Sequence, residues 1–214
     1  MPALSESRAL RFLVLSALYV AQGLPWGFIS VGYVVMLTDR GLSNDDIGSA
    51  LALAYLPWSF KLVAGPFLDR LPVGRFGRRR PVIVAAELLM GATLLLLLAV
   101  APAADHALVS AILFLHNAAA ALQDVAVDAM AVDLLHEDER GKANSFMWAG
   151  KSAGVALGGG GGVVLAKWIG WPGLFIVLAT AIWLIMLFPL LLRERPRGES
   201  DASSPGRFDW PELK

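Results

Sequence analysis

The chain has 214 residues, 57% of them hydrophobic and 17% charged, with a mean hydropathy of +0.61. An ordinary soluble domain is about a quarter charged, so this chain has too little polar surface for water, and lipid is the expected solvent. Lys+Arg 18 balance Asp+Glu 18, which leaves no basic field for nucleic acid. The absence of cysteine excludes disulfides, thiolate metal sites and cysteine nucleophiles.

A bilayer core about 30 Å thick needs roughly 20 apolar residues per helix. Six stretches meet that length: 11–37, 46–68, 81–101, 107–135, 143–168 and 171–192. Arg8 and Arg11 precede the first apolar run, from Phe12 to Leu37, as in a signal peptide. The run is too long for a signal's apolar region and more spans follow, so it is read as a retained helix. It carries Gln22 beside Gly23, Pro25 and Gly27, residues that loosen a helix and expose backbone groups, as transporter cavities need. In the second span Pro57, Lys61, Gly65 and Asp69 recur every four residues and form a stripe. The third holds Glu87. The fourth holds His116, read as a packed, hydrogen-bonded histidine, and Gln123, with Asn117, Asp124 and Asp128 on one helical face. The fifth carries Asn144, Lys151 and the glycines Gly150, Gly154, Gly158 and Gly162. Small residues at that period let two helices approach closely.

Basic residues set the orientation. Arg8, Arg11, Arg70, Arg75, Arg78, Arg79, Arg80, Arg140, Lys142, Arg193, Arg195 and Arg197 fall on one side of the alternating loops, and Arg40 and Lys167 on the other. The asymmetry puts both termini in the cytoplasm. The expected organisation is therefore an all-α membrane protein: a cytoplasmic tail (1–10), a six-transmembrane-helix bundle (11–192) and a flexible cytoplasmic linker (193–214) rich in Pro, Gly, Ser and charge. The closing residues Phe208–Lys214 read as the start of a further segment.

Ionisable groups inside a membrane are costly and need a reason. Lys61, Glu87, Asp124, Asp128 and Lys151 lie on four spans, all roughly 10–16 Å from the cytoplasmic end at about 1.5 Å rise per residue. They are expected to share one layer, with Lys61 or Lys151 touching Asp124 or Asp128, since pairing relieves the desolvation of both charges. Two lysines facing three acids leave one acid over, which is what a proton-carrying site requires. The alternative is that these charges only staple helices together. Lys61, Lys151 and the tryptophans could form a wall for a polar or anionic solute.

The loop from Gly65 to Pro81, GPFLDRLPVGRFGRRRP, resembles the signature loop of the major facilitator superfamily, with Gly65, Asp69, Arg70, Gly77, Arg78 and Arg79 at the matching places and Leu71 to Phe76 interposed. That spaced form is similar to the branch of AmpG-like muropeptide permeases and acetyl-CoA transporters. QGLPWGF (Gln22 to Phe28), YLPWSFKLVAGPFLD (Tyr55 to Asp69) and QDVAVDAMAVDLLHEDERGKANS (Gln123 to Ser145) resemble the same branch. The glycine run of the fifth span lacks the Gly-Pro pair of drug antiporters.

The resemblance implies half of a major-facilitator fold, the N-terminal six helices of a proton-linked, alternating-access carrier in a bacterial-type inner membrane, without cofactor or metal. It implies that Asp69 and Arg78 to Arg80 belong to a cytoplasmic gate; the bland reading of those arginines is a topology signal. A carrier of this fold holds solute between two halves, so the expected partners are the lipid bilayer, a small-molecule solute, protons, and a C-terminal six-helix half or a second copy. Two other readings stand beside it. One is a six-helix fragment that does not transport alone. The other is a membrane enzyme using Asp124 and Asp128 for a Mg²⁺-diphosphate, although no second acidic motif supports it.

Overall fold

The computed structural model describes residues 3–61, 65–66, 68, 77–100 and 105–195. Asp69, Arg70 and residues 71–76 of the signature loop lie outside them, as does the tail from 196 onward.

Helix α1 spans Arg8–Gly27, and the Ser7 hydroxyl caps it by accepting the Leu10 N–H at 3.4 Å. Proline at 25 withdraws one donor from the ladder, and the winding widens to a π turn at Phe28–Tyr33 before resuming as α2 (Val34–Asp39). Gly41, at φ 78°, ends the run with its N–H on the Thr38 carbonyl at 2.9 Å, a left-handed closure that glycine adopts without Cβ strain. Ser43 caps α3 (Asn44–Tyr55) by accepting the Asp46 N–H at 3.2 Å. Pro57 then opens a 3₁₀ stretch at Leu56–Phe60. The four-residue stripe expected from Pro57 to Asp69 therefore does not begin on a regular α-helix. Its first turn is wound more tightly, because proline supplies no N–H to an α ladder.

Helix α4 (Arg80–Leu96) starts with Pro81 in its first turn, where a missing N–H costs nothing. Helix α5 spans His106–Leu134. Helix α6 (Glu137–Ala156) opens on Glu137, Asp138 and Glu139, placing negative charge at the positive end of its dipole. A second π turn, Leu157–Gly161, joins α6 to α7 (Gly162–Leu191). Among the described residues, four helical runs are long and apolar enough to cross a membrane: Arg8–Asp39, Arg80–Ala99, Ala107–Leu134 and Glu137–Leu191. The last has 55 residues, about 80 Å of helix if straight, but Gly170 breaks it at φ 73°, ψ 168°, at the joint expected between the fifth and sixth spans. The second expected span, 46–68, is only partly within the described residues.

The glycine stripe finds its partner in α1. Gly150 lies against the Ser16 carbonyl, Gly154 against Val20 and Gly23, and Gly158 against Leu24. Positions rise together on both helices, so α1 and α6 run parallel. A Cβ at Gly150 or Gly154 would stand 2.6 Å from a backbone oxygen of α1, so no side chain fits without parting the helices. Gly162 instead faces Leu174 within α7.

Two apolar clusters divide the bundle along its length. One holds Leu15, Leu18, Leu68, Ile83, Val127, Met130 and Met147, at the end where the basic residues collect. The other holds Phe28, Tyr33, Met90, Leu94, Leu113 and Phe175. Large apolar side chains such as Leu96, Leu157, Trp168 and Leu184 face outward, a surface suited to hydrocarbon.

Candidate functional site

Between the two clusters the core helices switch from apolar to polar. On α1 the switch falls at Gln22, on α4 at Glu87 and on α5 at Gln123 and Asp124, all at most 2% exposed. Lys61 falls between Ala54 of one cluster and Leu68 of the other. Lys151 follows Met147 by one turn of α6. These side chains thus lie at one level of the core, between the two clusters. Asp128 sits a turn nearer the basic end, alongside Val127 and Met130.

Asp124 takes both lysines. Lys61 Nζ pairs with its Oδ2, and Lys151 Nζ lies 3.4 Å from its Oδ1. The carboxylate is 3% exposed, whereas Lys61 is 33% and Lys151 15%. The acid is sealed and the two ammonium groups look outward. Each remains near aromatic faces, which attract cations through their quadrupoles. Lys151 Nζ is 5.4 Å from the ring centroids of Trp58 and Trp148, 5.6 Å from Tyr19 and 5.8 Å from Trp26. Lys61 Nζ is 5.4 Å from Trp58. Trp26 packs edge-on against Trp58, centroids 4.9 Å apart. All of these but Tyr19 line a cleft of about 570 Å³, with Trp26, Trp58 and Trp148 as walls and Lys61 and Lys151 as its cations. That size suits a small organic solute.

Asp128 has a different partner. The Tyr19 hydroxyl donates to its Oδ1, and both residues line a second cleft of about 340 Å³ with Arg140, Asn144, Met147 and Trp148. Trp148 is common to the two clefts. Asn117 turns to the second span, accepting Trp58 Nε1–H at 2.8 Å.

Glu87 belongs to a separate buried network. Gln123 Nε2 donates to Glu87 Oε1 at 3.0 Å and to the Leu18 carbonyl at 3.3 Å, and Gln123 Oε1 accepts from Gln22 Nε2 at 2.7 Å. None of the three lines either cleft. His116 is packed: its Nδ1 meets Thr93 Oγ1 at 2.9 Å and the Met90 carbonyl at 3.1 Å.

The basic end is tied by fixed contacts. Arg11 holds Glu139 through Nη2 at 2.7 and 2.8 Å and Nε at 3.2 Å, while its Nη1 reaches the Leu4 and Ser5 carbonyls. Arg79 Nε pairs with Asp133 at 3.0 Å, and Arg80 Nε donates to the Pro189 carbonyl at 2.6 Å. The Glu194 carboxylate accepts the backbone N–H groups of Arg78, Arg79 and Arg80 at 3.2, 3.0 and 2.9 Å, an anion on a helix N-terminus. Glu194 also fills the space beside Gly77, whose φ is 92°. The tail thus begins as a docked segment rather than a free linker: Leu4 and Ser5 N–H bond to the Arg193 and Glu194 carbonyls at 2.7 and 3.1 Å. Of the expected gate, a Cβ at Gly65 would meet nothing within 4 Å among the described residues, and Asp69 and Arg70 fall outside them.

Sequence reasoning passed over Tyr19 and Glu139. Tyr19 stands three residues before Gln22 and seven before Trp26, a one-face spacing on α1 that would have flagged it.

The Major Facilitator Superfamily profile matches residues 15–214. The chain belongs to the major facilitator superfamily. It is 28% identical to the anhydromuropeptide permease of Escherichia coli K12 over 187 residues, covering 86% of this chain and 38% of that protein. It is 24% identical to a putative transporter AmpG 3 of Rickettsia typhi over 175 residues, covering 79% of this chain and 41% of that protein. The chain thus spans about two-fifths of the length of these major-facilitator relatives. Their names match the AmpG-like branch that the motifs indicated. A permease family, together with the apolar helices, makes this an integral membrane protein and sets the enzyme alternative aside.

Proposed function

We propose that this chain is the N-terminal six-helix half of a proton-linked secondary transporter whose solute is polar or anionic. The observation that carries the reading is the cleft itself: two lysines share one sealed carboxylate at the level between the apolar clusters, and three tryptophans stand around them. Such a site binds an anion through the ammonium groups and the body of the solute against the indole faces. A buried charge cluster that only stapled helices would not open onto a cleft of about 570 Å³.

The relatives' name suggests a muropeptide-like solute, and an acyl-CoA-like anion is the second candidate. In this reading both termini are cytoplasmic, and the membrane is of the bacterial inner type. Asp69, Arg70, Gly77 and Arg78 to Arg80 form the cytoplasmic gate, and Gln22, Glu87, Asn117 and Gln123 support the site from behind. The glycines Gly150, Gly154 and Gly158 keep α6 close enough to α1 for Lys151 to reach Asp124. A second six-helix body, in the same polypeptide or another, completes the solute chamber.

Proteoliposomes carrying the protein, alone and with a second six-span body, test this with labelled anhydromuropeptide and acetyl-CoA. Uptake of one of them, driven by an inwardly directed proton gradient and lost in Asp124→Asn, is the expected result. Uptake that persists when the gradient is collapsed overturns proton linkage. Absence of uptake of both with the second body present overturns the carrier reading.

A further inference from the structure

Asp124 and Asp128 lie one turn apart on α5, yet the structure gives them opposite surroundings. Asp124 is closed off by Lys61 and Lys151. Asp128 is partly exposed, is held by the Tyr19 hydroxyl, and opens on the second cleft between α5 and α6. Tyr19 itself is 5% exposed, with its ring under the Lys151 ammonium and edge-on to Trp148 at 6.3 Å. The charged and titratable groups facing Asp128 are Tyr19 from α1, Lys61 from the second span, Lys151 and Arg140 from α6, and Asp124 from its own helix.

Resting on the carrier reading, we infer that Asp128 is the proton-carrying acid, that Tyr19 positions it, and that protons reach it through the second cleft rather than through the tryptophan-walled solute cleft. The charge balance of the cluster supplies the coupling. With Asp128 ionised, Lys61, Lys151, Asp124 and Asp128 sum to zero and offer an anion no net attraction. A proton from water in the second cleft adds to the Asp128 carboxylate, while Tyr19 keeps its own, and the cluster gains one positive charge facing the solute cleft. The anion then binds beside two ammonium groups that share one carboxylate. By linkage, the bound anion holds the proton on Asp128 to the same degree. Trp148, the wall common to both clefts, keeps the two paths apart.

The test does not need the solute. The chain contains no cysteine, so Asn144→Cys and Val132→Cys each place one thiol in the second cleft, and Ser152→Cys places one in the solute cleft. The whole protein in detergent is treated with a water-soluble carbodiimide and glycinamide across a pH series, and adducts are located by peptide mass spectrometry. The expected result is an adduct at Asp128 at least several-fold above that at Asp124, with its pH midpoint displaced in Tyr19→Phe. A bulky, charged thiosulfonate on the thiol of Asn144→Cys or Val132→Cys should suppress the Asp128 adduct more than about fivefold, and the same reagent on Ser152→Cys should not. Equal or greater labelling of Asp124, no adduct at either acid, an unmoved midpoint in Tyr19→Phe, or suppression in Ser152→Cys alone would overturn the assignment. Labelling is independent of transport, so failed uptake and failed labelling sink separate claims.

Discussion

The two ends of α6 both carry an ion pair to another helix, and they use the same chemistry to opposite ends. At its start, Glu139 is gripped by Arg11 through three short hydrogen bonds, and the remaining guanidinium nitrogen is spent on the carbonyls of Leu4 and Ser5. That geometry is planar, forked and saturated, which suits a permanent fastening. Further along the same helix Lys151 shares Asp124 with Lys61 at 3.4 Å, its ammonium group surrounded by aromatic faces rather than by acceptors. A pair in which one carboxylate serves two point charges can give one up to an incoming anion. What distinguishes a staple from a site is thus the satisfaction of each charge and the cleft beside it, not the presence of charge.

The contrast breaks most sharply at Asp124. Asp124→Asn takes from two partly buried lysines the carboxylate they touch, a loss of up to about 3–5 kcal/mol where a buried pair is broken. Gradient-driven uptake should fall by about two to three orders of magnitude. Thermal unfolding should shift less than that figure implies, because Lys61 is exposed enough to hydrate. A fully active Asp124→Asn protein would make the middle cluster a staple like the other. Next in size is the seam between the helices. Gly158→Leu drives a side chain into the Leu24 backbone of α1, and overpacking of this kind costs about 1–3 kcal/mol or more. Reduced yield of folded protein by size-exclusion chromatography is expected, with the remainder inactive because Lys151 no longer reaches Asp124. Normal yield and activity would remove the seam from the account.

Arg11→Met sharpens the comparison from the other side. It should lower Tm by several degrees in a thermal-shift assay and leave the pH dependence of uptake unchanged. A displaced pH profile would mean that the basic end takes part in coupling. The smallest effect belongs to Glu194→Gln, which removes the anion from the N-terminus of α4. About 0.3–1 kcal/mol, or about 1–4 °C in Tm, is expected by calorimetry, and no change at all would show that the docked tail contributes nothing.

Much of this was legible in the sequence because a membrane makes polarity rare and therefore informative. The shared level of Lys61, Glu87, Asp124 and Lys151 between the two apolar clusters was legible from counting residues along apolar runs at about 1.5 Å rise per residue. The glycine period announced close packing but not its partner, since small residues specify distance and not identity. Tyr19 was missed because an aromatic residue in an apolar run carries no sign of whether its hydroxyl is used. The pairing of Arg11 with Glu139 was hidden because charges at helix ends read as topology signals. The irregular winding of the second span follows from Pro57, whose effect depends on neighbours that sequence does not show.

The most direct measurement is proton uptake on solute binding. Anhydromuropeptide is added to the protein, with its second six-helix body, in weakly buffered detergent, and pH is followed with an indicator dye. Binding should take up about one proton per solute by linkage, with the change absent in Asp128→Asn. Saturable binding to the unaltered protein with no proton uptake would contradict the account.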